Sequence, residues 1–133
     1  MAAVKIIEIT DKDFSIDEII KKLKRPEIGC VVSFVGVVRG TSPKGAVKTL
    51  EVEAYDEMGE KLLLELVNKA KTQFKIEDVA IVHRTGDLKV GDNIVYIAVS
   101  AAHRNDAFKA CEWIINELKK TVPIWKKELY VEI

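Results

Sequence analysis

Proline lacks an N–H and disfavours helix at the residue before it, so Pro123 must end the strongly periodic segment running from about Arg104 to Thr121. At ~100° per residue, Ala107, Cys111, Ile114, Ile115 and Leu118 share one apolar arc. Lys119 falls at the edge of that arc, while Glu117 and Lys120 point away from it. Trp125 and Lys126 follow directly after the proline. Two lysines and a tryptophan are thereby held around a forced helix stop. An ammonium at the rim of an apolar face is partly desolvated, which lowers its pKa and suits it to acid/base or nucleophilic work. The plainer reading is that Lys119 snorkels from a core helix, and geometry alone favours it.

The rest of the chain reads as α+β. Val4 to Thr10 suggests a strand, and Ser15-Ile16-Asp17-Glu18 is a capping-box signature ahead of an Ile16, Ile19, Ile20, Leu23 stripe. Pro26 closes that helix. Ile28 to Val38 is apolar on both faces and predicts a central strand, ending at Arg39. Gly40 to Gly45 predicts a mobile loop. It has the glycine spacing of a phosphate loop, but Ala46-Val47 stands where Lys-Ser/Thr is required, so no nucleotide site is expected. Leu50, Val52 and Ala54 alternate as a half-exposed strand, and Met58 to Phe74 forms a long amphipathic helix. Val79 to Arg84 is a short strand, 86–92 is turn-rich, and Asn93 to Ser100 is a strand leading into the periodic segment that begins at about Arg104. Lys127 to Ile133 alternates as a last strand. So many strand-to-strand steps exclude a doubly wound sheet and predict a mixed, largely antiparallel sheet with about three helices in a single domain, 1–133.

Charge and cysteine usage narrow the function. Lysine plus arginine and aspartate plus glutamate are 21 each, so no global field draws the chain to nucleic acid or an anionic membrane. An RNA-binding α+β domain is disfavoured for the same reason. No signal peptide is read at Met1 to Lys5, and no apolar run approaches the ~20 residues of a membrane span. Cys30 and Cys111 are far apart inside apolar segments, which reads as core thiols in a reducing, cytoplasmic setting.

Several residues could carry chemistry. His103-Arg104 falls where a strand gives way to a helix N-terminus. Cations are unfavourable there unless an anion binds, which points to a phosphate. His83-Arg84 before a glycine turn reads as a satisfied structural pair. Arg39 at a strand end could reach a ligand over the sheet edge or be merely solvated. Phe34 reads as core, with stacking under a flat ring as the alternative. Cys111 lies among apolar residues that keep its thiol protonated and inert. Trp113 projects on the polar side of its helix and suggests a subunit interface. The histidines show no metal spacing, so neither a metal nor a cofactor is expected.

Leu118-Lys119, Pro123-x-Trp125-Lys126-Lys127-Glu128, Ser100-Ala101-Ala102-His103-Arg104 and His83-Arg84-x-Gly86 together resemble the large, catalytic subunit of molybdopterin synthase, in the same order and at similar spacing. The resemblance runs from Gly29 through Glu128. It implies a hammerhead-like fold and a sulfurtransferase of molybdenum cofactor biosynthesis, which converts cyclic pyranopterin monophosphate to molybdopterin. The two sulfurs arrive as the C-terminal thiocarboxylate of a small ubiquitin-like partner, in a homodimer within a heterotetramer. By position it implies catalytic Lys119 and Lys126, with Val37, Val38, Arg39, His103, Arg104, Lys127 and Glu128 lining the substrate site along with both lysines, and Phe34 as a pterin contact. Two departures stand out: the sequence ends at Ile133, short of the basic tail of many relatives, and Ile115 replaces a frequent methionine. The competing class is a non-enzymatic module that docks a ubiquitin-like tail. Arg104 and Lys119 are 15 residues apart on one expected helix, about 22 Å between Cα atoms. If both serve one site, they must come from different subunits of a homodimer.

Overall fold

The computed structural model describes residues 5–132, so the expected strand positions Val4 and Ile133 lie outside the described residues. The element order is β1 (Ile7–Thr10), α1 (Ile16–Leu23), β2 (Cys30–Val37), β3 (Thr41–Ser42), β4 (Gly45–Ala54), α2 (Asp56–Gln73), β5 (Asp78–Arg84), β6 (Gly86–Lys89), β7 (Asn93–Ala101), α3 (Arg104–Thr121) and β8 (Ile124–Tyr130). One sheet has the order β1-β5-β7-β2, parallel only between β1 and β5. In the second, β4 pairs antiparallel with β3, β6 and β8. The expected three helices and mixed, largely antiparallel architecture are both present.

Alternation explains how the first sheet is covered. Val79 and Ile81 of β5, with Ile97 and Val99 of β7, face the main core with α2, α3 and the apolar residues of β4. Ala80, Val82, Tyr96 and Ala98 face the other way, onto Ile19 and Leu23 of α1. Ser15 caps α1 as its signature predicts, its Oγ accepting from the Glu18 N–H at 3.3 Å.

Three expectations are corrected. β2 is not central but lies at the sheet edge, leaving Phe34, Val35 and Val37 exposed at 37%, 36% and 51%. Its two-sided apolar pattern mimics burial because an uncovered apolar face reads the same in sequence as a covered one. The glycine-rich stretch from Gly40 is no open loop: β3 and β4 form a hairpin with Gly45 at φ +129. The turn-rich 86–92 stretch includes β6, which pairs with β4. Trp113 is half-buried and packs edge-on against Phe74, ring centroids 5.9 Å apart.

Gly29 marks one close approach. Its N–H donates to the Ala101 carbonyl at 2.9 Å, and a Cβ there would overlap the Ala102 carbonyl oxygen. Because the obstacle is backbone, Gly29→Ala should cost about 1–3 kcal/mol and lower the thermal midpoint by several degrees. An unchanged midpoint would mean that β2 and the β7–α3 junction are not this close.

Candidate functional site

The helix stop at Pro123 becomes a sharp hand-over. The Val122 N–H still donates to Leu118 at 3.3 Å, the Ile124 N–H reaches back to Val122 at 2.9 Å, and β8 begins at once. The strand starts three positions earlier than the Lys127 expected from alternation, since Pro123 needs only to leave the helix, and extended backbone is where it leads. Lys119 in the last turn of α3 and Lys126 in β8 are thereby brought to one cleft.

That cleft has a volume of about 570 Å³ and lies between the two sheets. Its walls are Phe34 and Val37 of β2, Val38 and Arg39 just beyond it, Val47 and Leu50 of β4, Ile94 of β7, and Lys119, Lys126 and Glu128. Register decides which side chains of β8 reach it. Lys126 pairs with Val52 and Glu128 with Leu50, so both share the face on which β4 is buried. Lys127 pairs with Glu51 and stands on the opposite, exposed face. One Glu128 oxygen, Oε2, is buried with no hydrogen-bond partner. A second cavity of about 320 Å³ lies behind the lysines, lined by His83, Leu118, Lys119, Val122, Ile124 and Lys126. The two lysines border both spaces.

Lys126 has a perturbed pKa. Burial lowers its pKa, and the neighbouring Lys119 charge lowers it further. Lys126 keeps considerable accessible area, but in a concave site a group can retain area while losing much of its hydration. His83 is 1% exposed and its pKa is pushed down to about 4, first by burial and then by Lys126, against the opposing bond to Arg84.

His103 and Arg104 are exposed at the other end of α3, beside a separate depression of about 550 Å³ with Gly29, Cys30, Ala102 and Asn105. His103 occupies the N-cap position without capping the helix through its side chain, which leaves the first N–H groups open to an anion. Because α3 is continuous, Arg104 and Lys119 are kept about 22 Å apart within one chain. Cys111 is buried and its thiol is pushed up to about 11 by desolvation. Among the described residues, no cluster of three or more His, Cys, Asp or Glu could hold a metal ion.

One chain thus brings together Phe34, Val37, Val38, Arg39, Lys119, Lys126 and Glu128, and leaves His103, Arg104 and Lys127 outside. Sequence reading did not single out Val47, Leu50 and Ile94, which look like any other core residue, and it gave His83 a structural role.

The sequence model of the MoaE protein family matches residues 9–121. This chain belongs to that family. Among relatives, the molybdopterin synthase catalytic subunit of Thermoplasma volcanium is 42% identical over 123 residues, 92% of this chain and 90% of that one. The protein of the same name from Pyrococcus abyssi is 44% identical over 118 residues, 89% and 80% of the two chains. Among solved structures, molybdopterin synthase from Staphylococcus aureus superposes with a TM-score of 0.92 at 35% identity, covering 98% of this chain and 95% of that chain. Molybdopterin cofactor biosynthesis protein E from Burkholderia multivorans gives 0.82 at 41% identity, with 100% and 90% coverage. The hammerhead-like architecture expected of the MoaE family is therefore the one observed.

Proposed function

We propose that this chain is the catalytic subunit of a molybdopterin synthase, a cytoplasmic sulfurtransferase acting as a single domain on a pterin monophosphate. The observation that carries this reading is the meeting of Lys119 and Lys126 with Arg39, Phe34 and Glu128 at one cleft whose other walls are apolar. The sulfur donor is the C-terminal thiocarboxylate of a small ubiquitin-like partner. Each transfer forms one C–S bond and breaks one C–O bond on the pterin side chain, the oxygen leaving with the opened cyclic phosphate or as water. The acyl group left on the partner takes oxygen from water and returns as a carboxylate, and two such transfers build the dithiolene. The paired ammonium groups offset the thiocarboxylate charge, stabilise the developing oxyanion and move protons. Phe34 offers a face to the pterin ring, and the unpartnered Glu128 oxygen accepts from ring N–H donors. Arg39 and the His103-Arg104 helix start suit the anionic end of the substrate. The reaction balances without a metal or an organic cofactor.

The cytoplasmic assignment rests on the thiols. Cys30 and Cys111 are both free, which suits a reducing compartment.

The assembly is a homodimer within a heterotetramer. The uncovered apolar edge of β2 suits a partner, and if both ends of α3 serve one site, its length assigns His103 and Arg104 to the neighbour's site. Lys127 reaches substrate only from outside its own cleft.

The test is product formation from thiocarboxylated partner and pterin precursor, run with the wild-type chain and with a Cys30→Ser/Cys111→Ala double variant. Both should form dithiolene, the variant with some loss of stability from its altered core. A folded double variant that does not turn over assigns sulfur carriage to a cysteine. Partner binding without any product would leave a docking module and no enzyme.

A further inference from the structure

His83 ends the inward-facing row Val79, Ile81, His83 of β5, and this parity carries its ring out of the apolar core into the smaller cavity behind Lys119 and Lys126. Its Nδ1 lies 2.9 Å from the Arg84 carbonyl oxygen. A carbonyl only accepts, so Nδ1 carries the proton and the neutral ring leaves Nε2 as a bare lone pair. No protein donor among the described residues is bonded to Nε2, and neither lysine ammonium has a hydrogen-bond or ion-pair partner there. An orphaned acceptor and orphaned donors thus line one cavity. The charged groups facing the ring are Lys126 of β8 and Lys119 of α3. Its strand neighbours Ile9 of β1 and Val95 of β7 carry no charge.

We propose that His83 is a positioning residue for Lys126: Nε2 accepts a hydrogen bond from the Lys126 ammonium and sets where that charge stands between the two cavities. Burial keeps the ring neutral down to about pH 4, so the acceptor persists throughout the working range and adds no third positive charge to the lysine pair. The bond favours the ammonium form and partly offsets the desolvation that lowers the pKa of Lys126. This role rests on the sulfur-transfer reading for its catalytic consequence, but not for its effect on Lys126 itself.

Two substitutions separate positioning from simple structural support. In His83→Asn the side-chain amide overlays Nδ1, keeping the bond to Arg84 but ending short of Nε2. In His83→Gln the amide oxygen reaches the Nε2 position, while the Arg84 bond is lost. Lys126 titration is followed by NMR of 13C-labelled lysine in the substrate-free protein, assigned with Lys126→Arg, and kcat and KM are measured separately. We expect His83→Asn to lower the Lys126 pKa by about one unit and kcat about tenfold with little change in KM, while His83→Gln stays near wild type in both. The reverse pattern, equal damage from both variants, or an unmoved Lys126 titration in His83→Asn would overturn the proposal. If sulfur transfer fails altogether yet His83→Asn shifts Lys126 as expected, the positioning role stands and only the proposed reaction falls.

Discussion

Lys119→Ala is expected to lower turnover by roughly 10²–10⁴-fold while leaving the fold intact. Lys119 is exposed in the last turn of α3 and makes no hydrogen bond or ion pair with any described residue, so its loss should change stability by no more than about 0.5 kcal/mol. Turnover is a different matter, because its ammonium borders both the larger cleft and the cavity behind it. Its charge adds to the burial that lowers the pKa of Lys126, so removing it should raise that pKa as well as delete a positioned cation. The measurements are single-turnover sulfur transfer with a thiocarboxylated partner and a thermal melt. A wild-type rate with an unchanged melt removes Lys119 from the catalytic assignment.

Mixing two inactive variants should restore activity. Arg104→Ala and Lys119→Ala remove groups at opposite ends of one uninterrupted 18-residue helix, about 22 Å apart. Two long side chains cannot close that distance around a single pterin monophosphate. In a two-fold dimer with shared sites, a hybrid of the two variants carries one site with both lesions and one with neither. Each hybrid dimer should therefore recover up to about half the wild-type activity, starting from two preparations that have almost none. Subunit exchange is established independently, by mass or by affinity-tag capture. Proven exchange without recovery would place both residues in one chain's site or take one of them out of it.

The candidate site was only partly legible in sequence. Lys119 stood out because Pro123 must stop the helix and because Lys119 sits at the rim of the apolar arc. The stripe of α3, the cap of α1 and the alternation of β4 were legible for the same reason: each is a local rule of period or capping that needs no distant partner. The desolvation of Lys126 was not legible. Desolvation depends on how the strand after Pro123 folds back against β4, and that placed the lowered pKa on Lys126. His83 looked like a structural end-of-strand residue because one of its nitrogens is indeed satisfied locally, by Arg84. That Lys119 and Lys126 line the same cavity as His83 follows only from the docking of α3 and β8 near the end of β5.

The amino-acid sequence by itself determined the α+β class, the positions of the three helices, the inertness of Cys111 and the forced turn between Lys119 and Lys126, all consequences of short-range sterics, periodicity and burial of local apolar faces. The tertiary structure alone decided that β2 is an edge and not a centre, that β8 begins at Ile124, that Glu128 joins Lys126 in the cleft while Lys127 faces away, and that the ends of α3 serve two separate depressions. Strand order and register arise from pairings between segments far apart in sequence. A shift of one residue in such a pairing exchanges the two faces of a strand without altering its local pattern.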